Sequence, residues 1–147
     1  MIKAVCVTGV AGSGKTMFAK KLAIDNNYGY LDVNKIIDKN KKVIYGYDKK
    51  LKTKIIDIDK IKEVLTSIIK KSKKKLIIDS HLSHYLDKKY VDKVFIIKCD
   101  VNELRRRLKK RGYNKEKIEE NVEAEIMDVC FNEAKELGHR IKIVKIN

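Results

Sequence analysis

The chain opens on a mostly apolar run, IKAVCVT (Ile2–Thr8), that stops at Gly9 and reads as a buried strand. From about Gly14 to Asn26 the apolar positions take helical spacing, with Phe18, Ala19, Leu22 and Ala23 turned inward. A short strand follows at Gly29–Asp32, whereas 33–54 is lysine-rich around Gly46 and only weakly periodic. Ile58, Ile61, Leu65, Ile68 and Ile69 then share one face of a helix that Asp57 is placed to cap. KKSKKK (Lys70–Lys75) reads as a loop before a buried strand, Leu76–Asp79. A further strand is expected at Lys93–Lys98, after which Asp100 caps a helix carrying Val101, Leu104 and Leu108 inward. RGYN interrupts the pattern at Gly112. One long helix is predicted from about Lys115 to Leu137, with Ile118, Val122, Ile126 and Val129 on its inner face, and IKIVKI (Ile141–Ile146) forms a last strand.

Strands and helices alternate, and neither proline nor a Ser/Gly linker divides them. The expectation is a single α/β domain over 1–147, with a mostly parallel five-stranded sheet and helices on both faces. A chain of 147 residues can bury a sizeable core unaided. No apolar run approaches the ~18 residues of a membrane-spanning helix, so no membrane partner is expected. The N-terminal strand has too short an apolar core for a signal peptide. Cys6, Cys99 and Cys130 are odd in number, widely spaced and set among apolar residues, which points to buried reduced thiols in a cytoplasmic protein.

The chemistry begins at GVAGSGKT, Gly9 to Thr16, which fits the P-loop pattern GxxxxGK[ST] between a strand and a helix. Its glycines let backbone N–H groups turn inward around phosphate oxygens, and the helix start adds its dipole. Lys15 is expected to bridge the outer phosphates of ATP, and the Thr16 hydroxyl to ligate Mg²⁺. A second acid belongs on the metal side, at the end of a neighbouring buried strand. Asp79 closes LIID and is favoured; Asp32, closing the shorter second strand, is the competitor. His81 lies two residues beyond Asp79, hence on the same face of an extended segment, where an imidazole can orient an attacking group. An ordinary polar loop histidine is the alternative, and for His84 it is the preferred reading. The two histidines have no third ligand at a recognisable zinc spacing.

Net charge is +15, from 30 lysines and five arginines against 20 acids. That excess favours nucleotides, RNA or a ribonucleoprotein as partners, although a Lys- and Ile-rich codon bias or heat adaptation produces the same composition. The scarce arginines are more informative. Four of the five lie between 105 and 111. Arg107 and Arg111 share a helix face that Leu104 and Leu108 hold to the core, and Gly112 provides a hinge for lid closure over ATP. Arg105 and Arg106 read as a solvated basic face.

Together, GxxGxGKT, the GYD at Gly46–Asp48, Asp79-x-His81 and the pattern "RL..RGYN..K…N…EI" resemble the adenylate kinase isoenzyme 6 family, over residues 2 to about 136. That resemblance implies a nucleoside monophosphate kinase-like P-loop NTPase fold, with broad-range kinase and ATPase activity and a role in small ribosomal subunit maturation. It implies ATP contacts at Gly12, Gly14, Lys15, Thr16 and Met17, with a lid contact from Arg111. The monophosphate-binding segment falls at about 32–55 and the lid at about 110–120. Asp79-x-His81 matches the family's variant Walker B motif, in which the histidine serves hydrolysis. Leu82 stands where the family often has glycine. Segment 32–55 contains no arginine, so Lys35, Lys39, Lys41 or Lys42 must meet the acceptor phosphate as point charges, which implies weak or broad specificity. The C-terminal helix of longer relatives is expected to be missing.

Four functions follow as alternatives. The first is a kinase transferring phosphate from ATP to AMP or another monophosphate. The second is an ATPase switch acting on a small-subunit ribosomal protein and rRNA, in which His81 has a task. The third is a small-metabolite kinase of the shikimate kinase type, although Asp32-Val33-Asn34 lacks the second acid of that class. The fourth, a non-catalytic RNA-binding module, sits poorly with an intact P-loop and the absence of regularly spaced aromatics.

Overall fold

A computed structural model describes residues 2–146. Its five-stranded sheet runs in the order β2-β5-β1-β6-β7. The strands are β1 (Ala4–Thr8), β2 (Gly29–Asp32), β5 (Leu76–Asp79), β6 (Val91–Lys98) and β7 (Ile141–Lys145). All of their pairings are parallel. The period of two along each strand divides the core in two. Ala4 and Cys6 of β1, Ile78 of β5, and Val94 and Ile96 of β6 face one cluster. That cluster is closed by α3 (Ile58–Lys71) through Ile61, Leu65 and Ile69. Val5, Val7, Ile77, Phe95 and Ile97 face the other way, against Ala19 and Ala23 of α1 (Lys15–Asn26). A third cluster gathers Val10 with Leu104 and Leu108 of α4 (Val101–Lys110) and Val122 of α5 (Lys115–Ile126).

Caps end the helices where side-chain chemistry favours it. Asp57 accepts from the Lys60 amide at 3.2 Å and Asp100 from the Glu103 amide at 3.1 Å. Cys6 is buried, Cys99 and Cys130 are half-buried, and all three are free thiols. Among the described residues, no helix is long and apolar enough to cross a membrane.

Two stretches depart from the sequence pattern. The weakly periodic 33–54 region is ordered, as α2 (Val33–Lys39), a short 3₁₀ turn and an antiparallel hairpin of β3 (Ile44–Asp48) and β4 (Thr53–Ile56). The hairpin is hard to read because its outer face presents Tyr45 and Tyr47 to solvent, so apolar residues stand on both sides. The long helix expected over 115–137 is broken into α5 and α6 (Val129–Glu136), with Asp128 in the left-handed region at φ 52°. Lys98 draws the break together, donating to the Glu125 side chain at 2.5 Å, the Glu125 carbonyl at 2.6 Å and Asp128 at 2.7 Å. The turn carries Ile126 and Val129, expected inside, toward solvent, and α6 buries Ala134 instead.

Leu65→Ala, at a fully buried site, is expected to lower unfolding free energy by about 2–5 kcal/mol. Chemical denaturation should register far less for the half-buried Ile68→Ala; equal losses would mean that α3 packs on a different face.

Candidate active site

The turn after β1 is shaped by close approach. A Cβ at Gly9 would lie 2.9 Å from the Ile97 carbonyl oxygen, and Gly14 takes φ 100° just before α1. No side chain caps the start of α1 and no acid sits in its first turn. Its leading N–H groups and the positive end of its dipole are therefore available to an anion. The loop is braced from outside. The Ala11 amide donates to Asn121 Oδ1 of α5 at 3.3 Å, and Arg107 Nη1 donates to the Gly12 carbonyl at 3.1 Å. Leu104 and Leu108 pack beneath Gly12.

Asp79 ends β5 level with Val7 of β1 and Asp32 of β2. The two acids are employed differently. Asp32 caps α2 by accepting from the Asn34 amide at 2.9 Å. Buried Asp79 accepts from the Tyr30 hydroxyl at 2.5 Å through Oδ2. Burial first, and the Asp79 bond second, push the Tyr30 phenol well above its ordinary range, with the Thr16 hydroxyl beside it. Burial lowers the pKa of Lys15, while the nearby Asp79 carboxylate opposes that effect and Arg111 adds to it. Lys15 folds back onto its own loop, Nζ lying 3.4 Å from the Val10 carbonyl. Among the described residues, no three His, Cys, Asp or Glu side chains converge on a metal cage. The donors near the loop are hard oxygens, Thr16 and Asp79, which suit Mg²⁺ shared with phosphate and water. The cradle and this donor pair fit a magnesium-bound triphosphate.

The segment after Asp79 curls rather than extending. The Ser80 amide donates to the Val7 carbonyl at 3.1 Å and the Ser83 hydroxyl to the same oxygen at 3.2 Å. His81 keeps an exposed edge, yet the atoms packed around its ring, and then the Lys15 ammonium, push its pKa down to about 4. His84 differs from the expected surface loop histidine: its ring is fully buried. The curl turns it inward, with Nδ1 2.9 Å from Thr8 Oγ1 and Nε2 3.0 Å from Glu133 Oε1 of α6.

Of the four clustered arginines, Arg107 reaches the loop, and its Nε donates to Glu103 at 3.2 Å. Arg111 ends α4, exposed, near enough for its charge to act on Lys15. Arg105 pairs with Glu119 and Arg106 with Glu103 on the surface, pairs of small energetic weight. Met17 is 81% exposed at the start of α1. The β3–β4 hairpin turn meets the start of α5. Asn114 Nδ2 donates to the Lys50 carbonyl at 2.8 Å, and Lys117 Nζ to the Lys52 carbonyl at 3.3 Å.

Sequence reasoning missed Tyr30, the Asn121 brace, the Lys98–Glu125 pair and the Thr8–His84–Glu133 cluster. Tyr30 had a signal: it alternates with Asp32 along β2 and so shares its face. Asn121 and Glu125 stood in the quoted "N…EI" pattern without an assigned task.

The chain matches the AAA domain family over residues 5–128. It is 35% identical over 132 residues to the adenylate kinase isoenzyme 6 homolog of Schizosaccharomyces pombe, covering 90% of this chain and 74% of that protein. The homolog of the same name in Dictyostelium discoideum is 30% identical over 131 residues, covering 89% of this chain and 73% of that one. Among solved structures, a shikimate kinase from Acinetobacter baumannii superposes with a TM-score of 0.66 at 14% identity, over 100% of this chain and 86% of that one. This last likeness concerns the fold alone.

Tyr30→Phe removes the donor from a buried carboxylate, so stability is expected to fall by about 1–3 kcal/mol. Unchanged denaturation midpoints would show that the bond is not made in solution.

Proposed function

The chain belongs to the adenylate kinase isoenzyme 6 family, and on that premise we propose a broad-specificity nucleoside monophosphate kinase, converting ATP and AMP to two ADP, with intrinsic ATPase activity. A kinase acting on nucleotides is what the names of its relatives describe. The observation that carries the finer reading is the convergence of Lys15, Thr16, Asp79 and His81 beside an uncapped helix start.

In this reading Gly12, Gly14, Lys15, Thr16 and Met17 cradle the outer phosphates, and Arg111 closes over them from a lid at about 110–120. Thr16 and Asp79 hold Mg²⁺, which when bound neutralises charge on the phosphoryl group being transferred. The monophosphate occupies the side bounded by segment 32–55, and one of its phosphate oxygens attacks in line. Lys15, Arg107 and Arg111 follow the charge that spreads over the moving group. No general base is needed for a phosphate nucleophile. Because 32–55 offers only lysines to the acceptor phosphate, selection among monophosphates is weak.

Hydrolysis is the second arm. His81 stands beside Lys15 and is neutral near pH 7, able to orient water by accepting a hydrogen bond from it. The strongly basic surface suits a cytoplasmic role on the small ribosomal subunit, with a ribosomal protein or rRNA as partner. A shikimate-type acceptor is disfavoured because Asp32, the acid that ends β2, is occupied as a helix cap and Asn34 stands where that class has a second acid.

Two measurements test this. ATP turnover with AMP is expected to yield ADP in pairs, and without acceptor to yield slow phosphate release; absence of both products would overturn the assignment. Lys15→Ala should abolish both, whereas His81→Ala should lower phosphate release about tenfold more than phosphoryl transfer. Equal losses would remove the histidine from hydrolysis.

A further inference from the structure

The buried cluster around His84 is used by none of the steps above, and its hydrogen bonds can be oriented atom by atom. The Glu133 carboxylate can only accept, and it receives the Tyr85 hydroxyl at Oε2, 2.5 Å away. His84 Nε2, 3.0 Å from Oε1, must therefore carry the proton. That leaves Nδ1 as an acceptor for the Thr8 hydroxyl at 2.9 Å. Burial lowers the pKa of His84, consistent with a neutral ring. His139 Nε2 donates to the His84 carbonyl at 2.8 Å and the Cys6 thiol to the Ser83 carbonyl at 3.4 Å, so the backbone of the loop is also tied.

The cluster joins three segments. Thr8 is the residue before Gly9 and so holds the root of the P-loop. His84 lies three residues beyond His81 on the curl that begins at Asp79. Glu133 belongs to α6, which continues α5 through the break pinned by Lys98. At its other end, α5 grips the hairpin through Asn114 and Lys117, and the P-loop through Asn121. A shift of α5 therefore has a packed, hydrogen-bonded route to the loop bearing His81.

We infer that His84 is a positioning residue: Glu133 and Thr8 hold it in one tautomer, and through it the His81 loop is set by α5 and α6. A carboxylate and an imidazole in this arrangement orient rather than react. Loss of the clamp should loosen the loop, which matters most for water, an acceptor with no binding segment of its own. Phosphoryl transfer to a monophosphate, whose acceptor is held by other residues, depends on the loop less.

The activity arm rests on the dual kinase and hydrolase reading above, so a second arm is independent of it. Imidazole ¹⁵N NMR of the full chain is expected to show His84 as the Nε2–H tautomer; an Nδ1–H ring or an imidazolium at neutral pH would overturn the inference whatever the activity. In turnover assays, Glu133→Gln is expected to lower phosphate release about tenfold more than ADP formation from ATP and AMP. Glu133→Asp, which keeps both acceptor oxygens where the glutamine offers one, should recover part of the loss. Equal losses, or none, would overturn the positioning role. If Glu133→Gln does not fold, Tyr85→Phe, which removes one donor to Glu133, is expected to move the same ratio in the same direction; an unmoved ratio then overturns it. Wild-type protein that releases no phosphate would refute the hydrolase reading, and the tautomer would still decide the inference.

Discussion

Val7 of the central strand stands level with Asp79 of its neighbour, and just beyond that register the Ser80 amide donates to the Val7 carbonyl. Parallel pairing brings the ends of both strands to the same edge of the sheet. The turn that follows one strand and the acid that ends the other are thereby adjacent, and neither can shift alone. A slip of one residue would turn Asp79 into the opposite face and bury Ser80 or Ile78 where the acid belongs. The apolar alternation on both sides, with Cys6 and Ile78 toward one cluster and Val7 and Ile77 toward the other, makes that slip costly.

On this frame the charges are arranged asymmetrically. Cations gather at the turn after β1 from separate segments: Lys15 from α1, Arg107 from within α4 and Arg111 from its end. The acids nearby are few and each is committed. Asp79 accepts from Tyr30, Asp32 caps a helix, Glu103 is taken by two arginines and Glu125 by Lys98. Such a site favours a polyanion.

Legibility in the sequence followed the physics of each element. Helices α3 and α4 were readable because each buries one apolar face, α3 against the sheet and α4 against Val10 and α5, and the caps Asp57 and Asp100 stand in plain view. The hairpin was not, because a two-stranded ribbon with exposed tyrosines has no single buried face. The break between α5 and α6 was hidden because the apolar spacing runs through it unchanged. What breaks the helix is Lys98, which lies on β6 and is invisible to local periodicity.

The sequence by itself determined the glycine-rich turn between a strand and a helix, and the alternation of strands and helices along the chain, since each depends on neighbours within a few residues. Tertiary structure alone decided that Asn121 and Arg107 brace the loop, and that His84 lies buried between Thr8 and Glu133. Those contacts link residues 49 to 110 positions apart. Nothing in the spacing of a motif encodes them, because they exist only once the sheet has set its register and α6 has turned back across it.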